Sequence, residues 1–159
     1  MKQEISKASF DKTKEEGGNF YKTLGKVYCP YFKEEVSFNA KGLEHLKFKQ
    51  KNFARSLSDQ YIRFKILKFA PEVLKLTKTV QGVSEQKVFE LIRSNQRNEH
   101  KMVNAIYYEF VAILNRTRVR VVVKQVDGAP KYFWSIIPFW KINKEKGKRK
   151  LHYGSPEHD

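Results

Sequence analysis

The sequence predicts an α+β domain in which N-terminal helices pack on a C-terminal antiparallel β-meander of about four strands. Two observations carry this expectation. In the first half, Ile62, Ile66, Phe69, Val73 and Val80 recur at helical spacing and make one apolar stripe. Over residues 102–140 the period changes to two: Val119, Val121 and Val123 alternate with Arg118, Arg120, Val122 and Lys124, and the turn pair Asp127-Gly128 follows. Helices first and strands after is the α+β order.

Taken in order, residues 1–24 mix Lys and Glu around Gly17-Gly18 and carry few branched apolar residues, the composition of a mobile arm. Residues 25–142 form the single domain. Val27-Tyr28-Cys29 and Val36-Ser37-Phe38 read as short strands separated by Pro30 and the charged Lys33-Glu34-Glu35 turn. Asn39 is placed to cap a helix over residues 40–48. Leu43 and Leu46 share one side of that helix, and Lys41, His45 and Lys49 fall near the other, so His45 is expected to face outward. Ser58 can cap the next helix, with Asp59 near its positive end.

Pro71 cannot continue a helical hydrogen-bond ladder, so two helices should meet near Ala70, with Pro71 in the first turn of the second. Arg63, Lys65 and Lys68 are assigned to the surface left by the stripe. Gly82 closes the helical block. Residues 88–93 are a short apolar segment and residues 94–101 a polar loop. The meander then runs through residues 102–114, a three-residue turn at Asn115-Arg116-Thr117, residues 118–126 and residues 131–139. Residues 143–159 are a basic tail with a Lys-rich run at 144–150 and a break at Gly154-Ser155-Pro156.

Charge narrows the partners. Across 159 residues, 32 Lys and Arg face 17 acidic residues, a net charge of +15. That balance favours a polyanion, RNA or another nucleic acid before an anionic membrane or an acidic protein. The single Cys29 excludes an internal disulfide and a cysteine zinc site, and points to a reducing, cytoplasmic setting. No secretory leader and no run approaching roughly 18 to 20 apolar residues is visible, so no membrane partner is expected. Phosphate-binding loops, dinucleotide fingerprints, zinc spacings and nucleophile elbows are missing, and no cofactor or metal is expected.

The candidate site lies on the meander. With a two-residue loop at Asp127-Gly128, Lys124 opposes Lys131, Val122 opposes Phe133 and Arg120 opposes Ser135. Arg118, Arg120, Lys124 and Ser135 then share one face. Arginine presents a planar fork of donors to phosphate oxygens, and a strand holds it firmly. His45, between two lysines, is biased towards the neutral form that suits a general base. Lys41, Lys47, Lys49, Arg63, Arg118, Lys131 and Trp134 are the candidate nucleic-acid contacts, with Trp134 able either to pack the sheet or to stack a base. Glu109 joins the face only if the first hairpin loop is even; the three-residue turn directs it away.

The order of Val36-Ser37-Phe38, Gly42-Leu43-Glu44-His45-Leu46, Arg63, Ala70-Pro71-Glu72, Val121-Val122-Val123-Lys124-Gln125 and Phe133-Trp134-Ser135-Ile136-Ile137-Pro138 resembles the barnase–EndoU–colicin–RelE-like nuclease superfamily, in particular its phage and mobile-element versions. The resemblance covers about residues 27–140. It implies a toxin-like endoribonuclease that cuts RNA without metal, by attack of the 2′-hydroxyl on the adjacent phosphate. By position it implies His45 as acid or base, Arg120 and Lys124 as a phosphate clamp and Ser135 as an orienting hydroxyl. An acidic antitoxin or immunity protein would be a natural partner. The competing readings are a noncatalytic nucleic-acid-binding protein and a module that docks an acidic partner.

Overall fold

The computed structural model describes residues 4–138 and 155–159, and the Lys144–Lys150 run and Trp140 lie outside them. Among these residues four helices flank a six-stranded mixed sheet whose strands, in spatial order, are β1 (Lys26–Cys29), β2 (Glu34–Ser37), β8 (Tyr132–Pro138), β7 (Thr117–Val126), β6 (Arg97–Leu114) and β5 (Gly82–Ser94). The α+β class therefore holds, but the sheet is larger than four strands and not wholly antiparallel.

Residues 7–24, expected in a mobile arm, are helix α1 (Lys7–Leu24), capped by Ser6, whose hydroxyl accepts from the Ser9 N–H. Phe10, Gly17 and Tyr21 form its buried side. Gly17 lets α1 approach the Phe64 ring, which a Cβ at that position would meet at 2.8 Å. A stripe that includes a glycine hides from a hydrophobicity pattern, which is why this helix reads as an arm. Tyr21 sits edge-on to Phe38 and Phe133 and donates its hydroxyl to the Asn39 carbonyl at 2.6 Å.

β1 (Lys26–Cys29) and β2 (Glu34–Ser37) form an antiparallel hairpin, and Ser37 pairs in parallel with Tyr132 of β8 (Tyr132–Pro138). The hairpin thus extends the meander's edge rather than standing apart. α2 (Ala40–Lys47) follows, capped by the Asn39 side chain, which accepts from the Gly42 N–H at 3.2 Å. α2 lies so close to β8 that a Cβ on Gly42 would stand 2.3 Å from the Phe133 carbonyl oxygen; only glycine permits this approach.

A small hairpin of β3 (Phe48–Gln50) and β4 (Phe53–Ala54) leads into α3 (Leu57–Ile66) and α4 (Phe69–Leu76). Ser56, not Ser58, caps α3, its hydroxyl accepting from the Asp59 N–H. Pro71 lies in the first turn of α4, where a missing N–H costs least. Ile66, Phe69 and Val73 pack in the main core with Phe110, Val119, Val121, Val123 and Phe133, while Ile62 and Val80 pack against it.

β5 (Gly82–Ser94) pairs along its whole length with residues 97–109 of β6 (Arg97–Leu114), turning at Asn95-Gln96, both with positive φ. The expected polar loop over residues 94–101 is therefore a two-residue turn with strand on either side. β6 pairs with β7 (Thr117–Val126) only from Ala105 onward, so the outer part of the β5–β6 hairpin has no neighbour beyond itself. Residues 97–102 of β6 are all exposed, and the period-two signal fails on that strand.

Two registers differ from the expectation. The β6–β7 turn has two central residues, Asn115 and Arg116, both at positive φ, and Leu114 pairs with Thr117. Between β7 and β8, Lys124 opposes Tyr132 and Val123 opposes Phe133. After a shift at Trp134, Val122 opposes Ser135 and Arg120 opposes Ile137. The extra residue is a β-bulge, invisible to an alternation argument because it changes the count by one without changing composition.

Candidate functional site

The sheet face opposite the main core carries Tyr107 and Glu109 from β6, Arg120, Val122 and Lys124 from β7, and Trp134 and Ser135 from β8. The even turn at Asn115-Arg116 sets Glu109 across from Val122 and so turns it into this face. The bulge keeps both Trp134 and Ser135 on it. α2 adds His45, the β4–α3 connection adds Arg55, and α3 adds Arg63 and Asp59.

These groups are buried, not displayed on an open surface. Arg120 is 2 % exposed and Lys124 and Ser135 are 0 % exposed. Burial of so many cations requires anionic or polar partners for each. Arg120 lies 3.1 Å from the Glu109 carboxylate. Lys124 donates to Glu90 at 2.6 Å and stands over the Trp134 ring at 4.1 Å from its centre. Arg63, expected on the surface, is buried instead: its Nε donates to Asp59 at 2.7 Å and its Nη1 to the Ser135 hydroxyl at 2.6 Å. The helical stripe leaves Arg63 on the side turned towards β8, where a guanidinium is needed rather than water.

The remaining partners come from residues 155–159. Glu157 accepts from Lys124 at 2.8 Å and from the Tyr107 hydroxyl. The Asp159 carboxylate accepts from Arg120 at 2.9 Å, and its main-chain oxygen accepts from Arg63 at 2.6 Å, Arg55 at 2.9 Å and Ser135 at 3.0 Å. Arg55 also donates to the His158 carbonyl at 3.1 Å, and the Trp134 indole N–H to the Pro156 carbonyl at 3.0 Å. A five-residue piece of the expected basic tail is thus an acidic insert seated on the cations.

His45, expected to face outward, is 4 % exposed and stacks on Trp134 with ring centres 3.9 Å apart. Its Nε2 is 3.0 Å from Arg55 Nη2, and its carbonyl accepts from Arg55 Nε at 2.9 Å. A guanidinium can only donate, so Nε2 must be the unprotonated nitrogen and the imidazole is neutral. Burial, then the positive charges of Arg55, Arg63 and Lys124, push its pKa down to about 2. Burial likewise lowers Arg55 to about 10, still protonated at neutral pH. Burial and the Glu157 charge raise Tyr107, which remains a hydroxyl donor.

The depressed histidine has a measurable consequence. The unfolded imidazole takes up a proton near 6.5 and the folded one only near 2, so stability is complete above about 6.5 and is lost as pH falls below it. From pH 6.5 to pH 5 the loss should be about 2 kcal/mol, from roughly 1.4 kcal/mol per pH unit per proton. Urea titrations at the two pH values check it, and His45→Gln should flatten the dependence. A His45→Gln protein with the same pH dependence would place the titration elsewhere.

The structure thus brings together His45, Arg63, Arg120, Lys124, Trp134 and Ser135. Lys41 pairs with Glu90 at 3.3 Å on the rim. Lys49 lines a groove of about 990 Å³ beside the cluster, together with Lys51, Lys87, Phe48, Phe89 and Trp134. Lys47 offers its carbonyl to the Arg55 N–H, and its side chain is not among the groove-lining groups. Arg118 lies two residues beyond Arg120, half-buried and outside the contacts that join the cluster. Lys131 is on the other face, paired with Glu34 and over the Phe32 ring. A two-residue loop sets it opposite Lys124; the five-residue connection 127–131 between β7 and β8 places Tyr132 there instead. Arg55 and residues 157–159 were missed, because a basic residue in a short connection and an acidic pair in a tail carry no periodic signal.

The chain matches no family model, no curated protein and no solved structure. Among the described residues, no helix is long and apolar enough to cross a membrane.

Proposed function

We propose that this protein is a metal-independent, toxin-like endoribonuclease of the RelE/barnase-like kind, with its phosphate site at the Arg55, Arg63, Arg120 and Lys124 cluster. The observation that supports this reading is the convergence of four cations, from the β4–α3 connection, α3 and β7, on the oxygens of residues 157–159. A site that holds carboxylate and carbonyl oxygens with guanidinium forks is suited to the oxygens of a phosphodiester.

In this reading an RNA phosphate takes the position of Asp159. Arg55 turns to that phosphate and releases Nε2 of His45. His45 then removes the proton of the 2′-hydroxyl, and the 2′-oxygen attacks phosphorus. Arg63 and Arg120 neutralise the charge that develops on the equatorial oxygens, with Ser135 orienting one of them. The bond to the 5′-oxygen breaks, Lys124 gives that oxygen a proton, and the products are a 2′,3′-cyclic phosphate and a 5′-hydroxyl. A neutral His45 fits the base and not the acid. The groove with Lys49, Lys51 and Lys87 and the exposed Phe89 would take the flanking single-stranded nucleotides.

The deciding experiment is incubation of RNA in EDTA with the wild-type protein and with an E157Q/D159N variant, followed by end-group analysis. Fragments ending in 2′,3′-cyclic phosphate are expected. No cleavage by either protein defeats the enzyme reading. Salt-sensitive RNA binding without cleavage would favour a noncatalytic nucleic-acid-binding protein, which the suppressed basicity of His45 also accommodates. An acidic antitoxin or immunity protein would engage the same cations.

A further inference from the structure

The cationic site is not empty in this fold. Its occupant has two anionic groups two residues apart, and each reaches a different cation subsite. Glu157 meets Lys124 and Tyr107, while Asp159 meets Arg120 with its carboxylate and Arg55, Arg63 and Ser135 with its main-chain oxygen. Anionic groups repeating along a chain and contacting successive cations is also how a nucleic-acid strand would lie there.

The hold on this segment is almost wholly polar. Ser155 bonds to the Gln86 side chain and Pro156 contributes only its carbonyl to the Trp134 indole. Ser155, Pro156, Glu157 and Asp159 remain half-exposed and His158 is exposed. Charge-assisted hydrogen bonds from Lys124, Arg120, Arg63 and Arg55 supply much of its binding. Such contacts weaken with salt and yield to a competing polyanion. Ser155, Glu157 and His158 also form one wall of the groove that carries Lys49, Lys51 and Lys87. The segment therefore occupies the phosphate subsites and forms part of the wall of the groove beside them.

We propose that residues 155–159 are a built-in competitor that holds the protein in an inhibited state and must be displaced by the RNA strand. This rests on the ribonuclease reading for the identity of the displacing strand. Displacement also removes part of the burial around His45, the largest of the causes that hold its imidazole neutral. The same movement would open the phosphate subsites.

The test uses the full chain. In a Trp140→Phe background Trp134 is the sole indole, since the sequence has two tryptophans. E157Q/D159N is compared with the parent and with E15Q/E16Q, which removes the same charge from the exposed side of α1. The probe is a fluorescent 2′-O-methyl RNA decamer, which cannot be cleaved, in EDTA. Expected are a red shift of Trp134 emission and RNA binding tighter by about tenfold or more in E157Q/D159N, with E15Q/E16Q like the parent. Unchanged Trp134 emission would show that these carboxylates do not hold the segment and would overturn the proposal. So would a red shift with RNA binding unchanged or weaker, because the segment would then support the site rather than compete for it. Tighter binding with no cleavage of unmodified RNA leaves the competitor standing and removes the ribonuclease reading alone.

Discussion

Arg120→Ala is expected to destabilise the fold by about 3–5 kcal/mol, the usual cost of removing one partner of a buried ion pair. The guanidinium lies 3.1 Å from the Glu109 carboxylate, and the two side chains are 2 % and 4 % exposed. Alanine would deprive a buried carboxylate of that cation and leave a hole where the largest buried side chain stood. Urea denaturation at pH 7 measures the loss. E109Q/R120A should recover part of it, because the buried Glu109 carboxylate is then gone and the more exposed Asp159 carboxylate is the one that still loses Arg120. A loss below about 1 kcal/mol in the single variant would mean that Glu109 is neutralised by its other surroundings. The consequence for function is practical: loss of activity in Arg120→Ala would not by itself identify a catalytic group, because the fold is at stake.

Arg63 separates the two effects. Arg63→Ala is expected to slow RNA cleavage by about 10²–10³-fold, the usual cost of one preorganised donor to a developing oxyanion. The acidic partner of Arg63, Asp59, is 37 % exposed in its side chain and is also paired with Arg55, so less buried charge is stranded. The measurement is single-turnover cleavage in the E157Q/D159N background, where the site is open in both proteins. Arg63→Lys keeps the charge but not the fork that reaches Ser135 and a phosphate oxygen together, and should recover only part of the rate. Cleavage by Arg63→Ala within about threefold of its parent would remove Arg63 from the phosphate clamp.

Much of the architecture was legible in local patterns. Asn39 as a helix cap, Pro71 at the start of a helix and the apolar face of Val119, Val121 and Val123 each follow from chemistry within a few residues. Where the pattern was long-range or diluted, it misled. α1 buries a side that includes Gly17 and so lacks a hydrophobic signature. The outer part of β6, residues 97–102, is exposed throughout and lacks alternation. His45 and Arg63 lie off the apolar stripes of their helices, which suggests solvent, yet both turn into a polar interior between α2, α3 and β8.

Residue order within single elements was enough for the helix and strand types, the shared face of Arg120, Lys124 and Ser135, and the strongly positive balance. Only the assembled tertiary structure decided that this face is closed, that Arg55 and Glu109 belong to it, and that residues 157–159 sit upon it. The physical reason is that electrostatic partnership is settled by distance in space. A carboxylate 33 residues from Lys124 and another 39 residues from Arg120 complete those ion pairs, and no periodicity along the chain encodes them.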